Sequence, residues 1–187
     1  MTAYDTGDDR GALARPEADA PAQQIAKPVL RKVPAELLSP MGWLSGLLHV
    51  PVHQTLTEFF TLAPRLVKLT RVRIPQEREV RPFVAIKRDA ISLVAPSLDE
   101  GVDSPGDRAY SALREVALLL PAGVLRGSLA VLLNMRLSDH LQQHGPLLTL
   151  RHCLLTPYGE TAKSPGARAF GTVIANLDSV LGVSEEV

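Results

Sequence analysis

Residues 36–60, ELLSPMGWLSGLLHVPVHQTLTEFF, lie over residues 117–141, ALLLPAGVLRGSLAVLLNMRLSDHL, when the chain is shifted against itself by 81 positions. The match needs no gap, and it repeats a proline, two glycines and a series of apolar residues in register. The identical pairs are Leu37/Leu118, Leu38/Leu119, Pro40/Pro121, Gly42/Gly123, Leu44/Leu125, Gly46/Gly127, Leu48/Leu129, Val50/Val131 and Leu56/Leu137. Similarity at a fixed shift is typical of an internal repeat. We therefore predict two copies of one structural unit.

The similarity extends beyond this block, first at the same shift and then at a larger one. The segment RPFVAIKRDAISLV, which begins at Arg81, resembles RAFGTVIANLDSVLGV, which begins at Arg168. The larger shift predicts a longer loop in the second copy, after Thr156. The further pairs are Leu66/Leu147, Leu69/Leu150, Phe83/Phe170, Asp89/Asp178 and Ile91/Val180.

Composition divides the chain into a tail, two units and a linker. Residues 1–28 are rich in Ala, Asp, Pro and Gln, with few large apolar side chains to offset the entropy lost on folding, so we expect them to be disordered. This tail is either a solubilising segment or an arm that folds on a partner. Residues 98–110 have the Pro, Gly, Asp and Ser content of a linker. The first β domain is therefore expected at residues 29–97 and the second at residues 111–187.

Within each copy the apolar residues follow the period of short strands separated by Pro or Gly. The glycines inside the second strand, Gly46 and Gly127, indicate bulges or close backbone contacts. In the third strand the apolar parity switches between Leu69 and Val72, and the second copy repeats this switch. One extra residue near Thr70–Arg71, and near Arg151–His152, would restore the inward face, which predicts a β-bulge in each copy.

The segments TLTEFF and RLSDHL predict a short helical turn between the second and third strands. Thr55 or Thr57 is expected to cap the first turn, and Ser138 the second. A sharply bent sheet of about five strands closes on itself. We therefore predict a mainly β fold with two tandem small barrels of SH3-like or Sm-like type. Units this small bury modest cores, so we expect them to pack on one another or on a second chain.

The second copy resembles a family of short uncharacterised bacterial β-domain proteins. The resemblance lies in G-x-L-x-V, in the turn R-L-S-D-H-L and in A-N-L-D-S-V near the C-terminus, and it covers residues 117–185. Members of that family pair an R-L-S-D-x-L turn with a C-terminal N-x-D-x-I strand. The first copy has QTLTEF and KRDAI at these places. The resemblance implies a β fold and carries no activity, cofactor or site residue.

The polar residues do not form a recognisable catalytic or metal-binding motif. His140 and His144, with His152 and Cys153 nearby, are better explained as boundary histidines and a core cysteine, and Pro51 prevents a helix that would present His49 and His53 together. Ser138, Asp139 and His140 are neighbours on one turn and point in different directions, unlike a hydrolytic triad. We expect no enzyme activity, cofactor or metal.

A basic stretch distinguishes the first copy from the second. Its cations form a possible binding patch for phosphates or an acidic partner, or else an outer face whose charges protect an edge strand. The aromatic residues Trp43, Phe59, Phe60 and Phe83 follow the apolar pattern and are expected in the core. The patch residues are Arg65, Lys68, Arg71, Arg73, Arg78, Arg81, Lys87 and Arg88.

These observations favour a non-enzymatic protein-binding or scaffold protein. The alternative is a nucleic-acid-binding module that uses the basic first copy. The net charge of zero excludes a protein that is basic throughout, and one cysteine allows no internal disulfide. No apolar run reaches the roughly 18 residues of a membrane span. We expect a cytoplasmic protein that binds other proteins, and a second copy of this chain is one candidate partner.

Overall fold

A computed structural model describes residues 28–98, 102, 111–143, 145–159 and 166–186. The expected disordered tail, apart from Pro28, and most of the expected linker lie outside these residues. The described elements are β1 (Leu30–Ser39), β2 (Gly42–Pro51), α1 (Leu56–Leu62), β3 (Leu66–Arg73), β4 (Arg81–Lys87), β5 (Leu93–Pro96), β6 (Ser111–Leu120), β7 (Gly123–Leu132), α2 (Leu137–Gln143), β8 (Leu147–Pro157), β9 (Arg168–Asn176) and β10 (Gly182–Glu185). The mainly β prediction is confirmed.

The strands form one open antiparallel sheet in the order β10-β6-β7-β8-β9-β5-β1-β2-β3-β4. The expected closure into two SH3-like or Sm-like barrels is therefore not found. A barrel would require the fifth strand of each half to pair with the fourth strand of the same half. Instead β5, the fifth strand of the first half, pairs with β9, the fourth strand of the second. The β4 and β10 strands consequently remain as the two outer edges.

The two halves repeat one strand order and one register. In each half the order is fifth, first, second, third, fourth strand. Leu37 lies opposite Leu44 in the first hairpin, and Leu118 lies opposite Leu125 in the second. Both members of the aligned leucine pairs Leu48/Leu129 and Leu69/Leu150 are buried. The gapless part of the sequence alignment is thus matched by the backbone pairing.

The aromatic pair Phe83/Phe170 is a wrong alignment. Phe83 lies opposite Thr70, whereas the residue opposite the equivalent Arg151 is Thr172. Phe170 occupies the place of Arg81, because the fourth strands are related by the same larger shift that relates Asp89 to Asp178. All the extra residues of the second half therefore precede this part of β9. Phe83 is also 52% exposed, so its expected place in the core is wrong.

Both predicted bulges are present, and a glycine faces each of them. The register between β2 and β3 shifts between Ser45 and Leu47, and the register between β7 and β8 shifts between Arg126 and Ser128. Arg71 and His152, the residues at the bulges, have positive φ angles of 54° and 51°. A Cβ on Gly46 would lie 3.2 Å from the Thr70 carbonyl oxygen, and one on Gly127 would lie 2.9 Å from that of Arg151. The glycines therefore allow the bulged strand to approach.

The helices are longer than the single turn expected, with seven residues in each. Thr55 is the N-cap of α1, where its hydroxyl accepts from the Glu58 N–H at 3.1 Å and its own N–H donates to the Glu58 carboxylate at 2.8 Å. The hydrogen bond that the Thr55 N–H donates to the Glu58 carboxylate lowers the pKa of Glu58. The expected cap at Ser138 is wrong, because α2 begins at Leu137 and places Ser138 in its first turn.

The apolar residues form two cores, one for each half. Phe60 is buried in the first core and Phe59 packs against it. Cys153 is buried in the second core, as the inward face predicted. Val102, inside the expected linker, is buried in the first core, and its carbonyl oxygen accepts from the Thr57 hydroxyl at 2.9 Å.

We expect Gly127→Ala to lower the free energy of unfolding by about 1–3 kcal/mol, because the added methyl group overpacks the contact with β8. The Cβ would meet the Cys153 sulfur at 3.0 Å as well as the Arg151 carbonyl oxygen. Gly145→Ala is the matched control, since nothing lies within 4 Å of its Cβ position. Urea unfolding of both variants measures the difference. Equal midpoints would show that the close approach imposes no constraint.

Candidate interaction surfaces

The junction between the halves consists of two strands that are buried on both faces. Neighbouring residues of a strand point to opposite faces. On β5, Val94 enters the first core while Leu93 enters the second; on β9, Ile174 enters the first core while Val173 enters the second. The two halves therefore place their cores on opposite faces of these central strands.

A cluster of four side chains, the junction clasp, closes one side of this junction. Arg168 of β9 forms a salt bridge with Glu36 of β1, and its guanidinium carbon lies 4.5 Å from the centre of the Trp43 ring. Trp43 in turn stacks on Phe170, with the ring centres 5.3 Å apart. Because Arg168 and Phe170 belong to the second half and Glu36 and Trp43 to the first, the clasp links the halves. Sequence reasoning missed it, although Glu36/Ala117 and Trp43/Val124 already differ between the aligned copies.

Within the described part of the chain, each outer strand has one row of backbone groups that no neighbouring strand pairs. On β4 the Arg88 N–H donates to the Arg65 carbonyl oxygen at 2.9 Å, so alternation along the ladder turns the amides of Phe83, Ala85 and Lys87 towards the free side. On β10 the Glu186 N–H donates to the Glu115 carbonyl oxygen at 2.9 Å. By the same alternation, the amides of residues 183 and 185 face away from β6.

The central residues of these edges carry no charge. β4 has charges only at its end residues, Arg81 and Lys87, with PFVAI between them. β10 reads GVSE, with its charge at the last residue. Edge strands that avoid pairing commonly carry a charged side chain, especially Lys, on the edge itself. Basic residues are therefore placed to protect the two ends of β4, as expected of an edge strand, but its central residues carry no such charge.

The structure brings part of the predicted basic patch together and separates the rest. Lys68, Arg71 and Arg73 are exposed on β3, and Lys87 is exposed on the neighbouring β4. Arg65 and Arg78 are exposed at opposite ends of this strand pair. Arg81 and Arg88 are engaged within the chain.

Two contacts account for those engaged cations. Arg81 binds Glu77 through two hydrogen bonds of 2.7 and 2.8 Å, which lower the pKa of that carboxyl. Arg88 contacts Asp89 and donates to the carbonyl oxygen of Ala63, just after α1 ends. The compact part of the patch is therefore the set Lys68, Arg71, Arg73 and Lys87, which we call the basic face.

The two recurring aspartates line one small cleft at the junction, which the sequence did not predict. Asp89 and Asp178 lie in 3₁₀ turns at Arg88–Ala90 and Leu177–Ser179. The Asn176 side chain, between them, donates to the Ile91 carbonyl oxygen. Among the described residues, no group of three or more His, Cys, Asp or Glu side chains is placed to hold a metal ion. His144 lies outside the described residues.

No protein-family model matches this sequence, and no curated protein or solved structure matches it significantly. In the part of the chain that the structure covers, none of the helices has the length and apolarity needed to cross a bilayer.

We expect Arg168→Ala to cost about 1–2 kcal/mol of unfolding free energy, because it removes both the stacking of the cation on Trp43 and the salt bridge between the halves. Arg126→Ala is the control, since Arg126 forms an exposed salt bridge with Glu186 and not one between the halves, and it should cost less than about 0.5 kcal/mol. Urea unfolding measures both. Equal losses would contradict a special role for the clasp.

Proposed function

We propose that this chain is a non-enzymatic protein-binding scaffold or adaptor built from two copies of one small β unit. The observation that supports the proposal best is the pair of free sheet edges, β4 and β10, whose central residues are uncharged. A free edge of this kind accepts an extended strand of a partner, because the unpaired N–H and C=O groups supply the hydrogen bonds.

Side chains beside the β4 edge add apolar contacts for a partner strand. Phe83 and Val80 are exposed, and so is Leu66 on the neighbouring β3. In strand addition the backbone supplies affinity while such side chains select the partner sequence. An adaptor with two edges, one in each half, can hold two partners at once.

A second apolar surface lies at the end of β7. Leu132 and Leu133 are exposed and line a shallow cleft with Met135, next to α2. The aligned residues of the first copy are Pro51, Val52 and Gln54, so the second half has the larger apolar side chains at this place. Exposed apolar clefts of this type favour protein contacts.

Capture from the native cell tests the scaffold proposal with the full chain as bait. We expect the same protein partner in repeated captures, and we expect Ala85→Lys to remove it, because a Lys at the centre of β4 opposes strand addition. The control is Thr156→Lys, which adds the same charge at an exposed position of the interior strand β8. Captures that recover no partner, or a partner indifferent to Ala85→Lys, would contradict binding at the β4 edge.

The alternative function, nucleic-acid binding, is supported by the basic face. Lys68, Arg71 and Arg73 are exposed along one strand, and no salt bridge among the described residues involves them. The exposed Phe83, opposite Thr70, adds a ring that bases can stack on. A groove across β1, β2 and β3 contains Arg71 and Arg73 together with Glu36, whose charge opposes phosphate binding.

Electrophoretic binding to single- and double-stranded DNA and to RNA tests this alternative at two salt concentrations. If the basic face binds phosphates, affinity falls steeply with salt, and replacing Arg71 and Arg73 together by Ala flattens that dependence by about two phosphate contacts. Arg126→Ala serves as the control for loss of a cation elsewhere. No retardation at low salt excludes the alternative.

A further inference from the structure

The free edges of the sheet are the structural counterparts of the two strands that pair at the internal junction. β10 occupies in the second half the place that β5 occupies in the first, since Gly182 lies opposite Leu119 as Leu93 lies opposite Leu38. β4 likewise corresponds to β9. The described residues therefore contain one fourth-to-fifth strand junction, and among them one fourth strand and one fifth strand have no partner on their outer side.

We infer that these free edges pair with each other between molecules, so that β10 of one chain joins β4 of a second copy in the manner of β9 and β5. This inference rests on the proposed function, and it names the partner strand. The contact is head-to-tail, because the two surfaces differ. Repetition of such a contact gives a ring if the rotation closes and a filament if it does not.

The internal junction fixes the register of the intermolecular one. Leu93 lies opposite Ala175 and Val94 opposite Ile174. The equivalent pairs place Gly182 opposite Ile86 and Val183 opposite Ala85. The Asn176 N–H donates to the Ser92 carbonyl oxygen at 2.9 Å, so the Lys87 N–H of one chain is expected to donate to the Leu181 carbonyl oxygen of the next.

The backbone groups required for this ladder already face outwards. Ala85 and Lys87 direct their amides to the free side of β4, and Val183 directs its amide to the free side of β10. Pro82, which has no N–H, does not interrupt the ladder, because its place is opposite the bulge residue Arg71, where the register of β3 and β4 skips one pair.

Apolar residues that cross the internal junction have exposed apolar counterparts at the free edges. Leu38 packs into the core of the second half and is 6% exposed, whereas the equivalent Leu119 is 39% exposed. Leu147 packs against the core of the first half, whereas the equivalent Leu66 is 46% exposed. Beside β10, Leu181 is 72% exposed. Pairing with a second copy would cover these leucines as the internal junction covers theirs.

The intermolecular contact is weaker than the internal one. The junction clasp has no counterpart, because Ala117 and Val124 replace Glu36 and Trp43, and Arg81 replaces Phe170. The edge residues Arg81 and Glu185 already pair within the chain with Glu77 and Arg114, so their charges are engaged there. Such a small contact should associate at roughly 10–500 µM protein.

Two substitutions separate the two surfaces. Ala85→Lys places a charge where the internal junction buries Ile174, and Ser184→Lys places one where it buries Ala95. Both positions are exposed in the single chain, so the fold should tolerate each change. Thr156→Lys is again the control, and thermal unfolding of all variants verifies that they fold.

Sedimentation velocity of the full chain over this concentration range is the test. The wild type and Thr156→Lys should rise to about twice the monomer mass or more, while each edge variant alone stays monomeric. An equal mixture of Ala85→Lys and Ser184→Lys chains should form dimers and nothing larger, because each chain keeps one intact surface. A monomeric wild type, or association that both edge variants leave unchanged, overturns the inference. If the wild type is monomeric and still captures a partner through β4, self-association fails and the scaffold proposal stands.

Discussion

The pairing of β5 with β9 is the interaction on which the architecture depends. Only two residues of each strand, Leu93 and Val94 on one side and Ile174 and Ala175 on the other, are matched across it. All four are buried, because the core of one half covers one face of the sheet and the core of the other half covers the opposite face. A buried backbone group must find a hydrogen-bond partner. Each half therefore completes the other.

This junction explains why the sheet is open. A closed barrel in each half would need β5 to pair with β4, and β10 to pair with β9. Because β5 pairs with β9 instead, β4 and β10 remain as the outer strands of the sheet. A sheet that ends in free strands must protect them or use them. In this sheet the charged residues of β4 and β10 lie at the ends of the strands, and exposed leucines lie beside both edges. The same geometry thus connects the internal architecture with the proposed binding activity.

Differences between the halves are concentrated where their surroundings differ. Glu36 and Trp43 belong to the clasp, whereas their counterparts Ala117 and Val124 have no second half beside them. The basic face is confined to β3 and β4, at the outer edge of the first half. Positions that hold the repeat together, such as the glycine opposite each bulge, are instead the same in both halves, because each bulged strand must approach its neighbour equally closely.

The sequence by itself determined the repeat, the strand periods and the bulges, because these depend on residues close together in the chain. Gly46 and Gly127 in register, and the parity switch after Leu69, are local signals of backbone shape. The two helices were also visible, although their length and the cap of α2 were not. A pattern of apolar residues predicts which face of a strand is buried, but it does not predict which strand pairs with it.

Only the tertiary structure decided which edges pair. A separate barrel and a shared sheet bury the same inward leucines, so the hydrophobic pattern is equally consistent with both. The choice depends on contacts between residues far apart in the chain, such as Arg168 with Glu36 and Val94 with Ile174. The wrong pairing of Phe83 with Phe170 has the same origin, because the length of the loop before β9 shifts the alignment of the two fourth strands. The pairing of strand edges and the effect of loop length both involve segments far apart in the chain. Local sequence patterns therefore do not determine them.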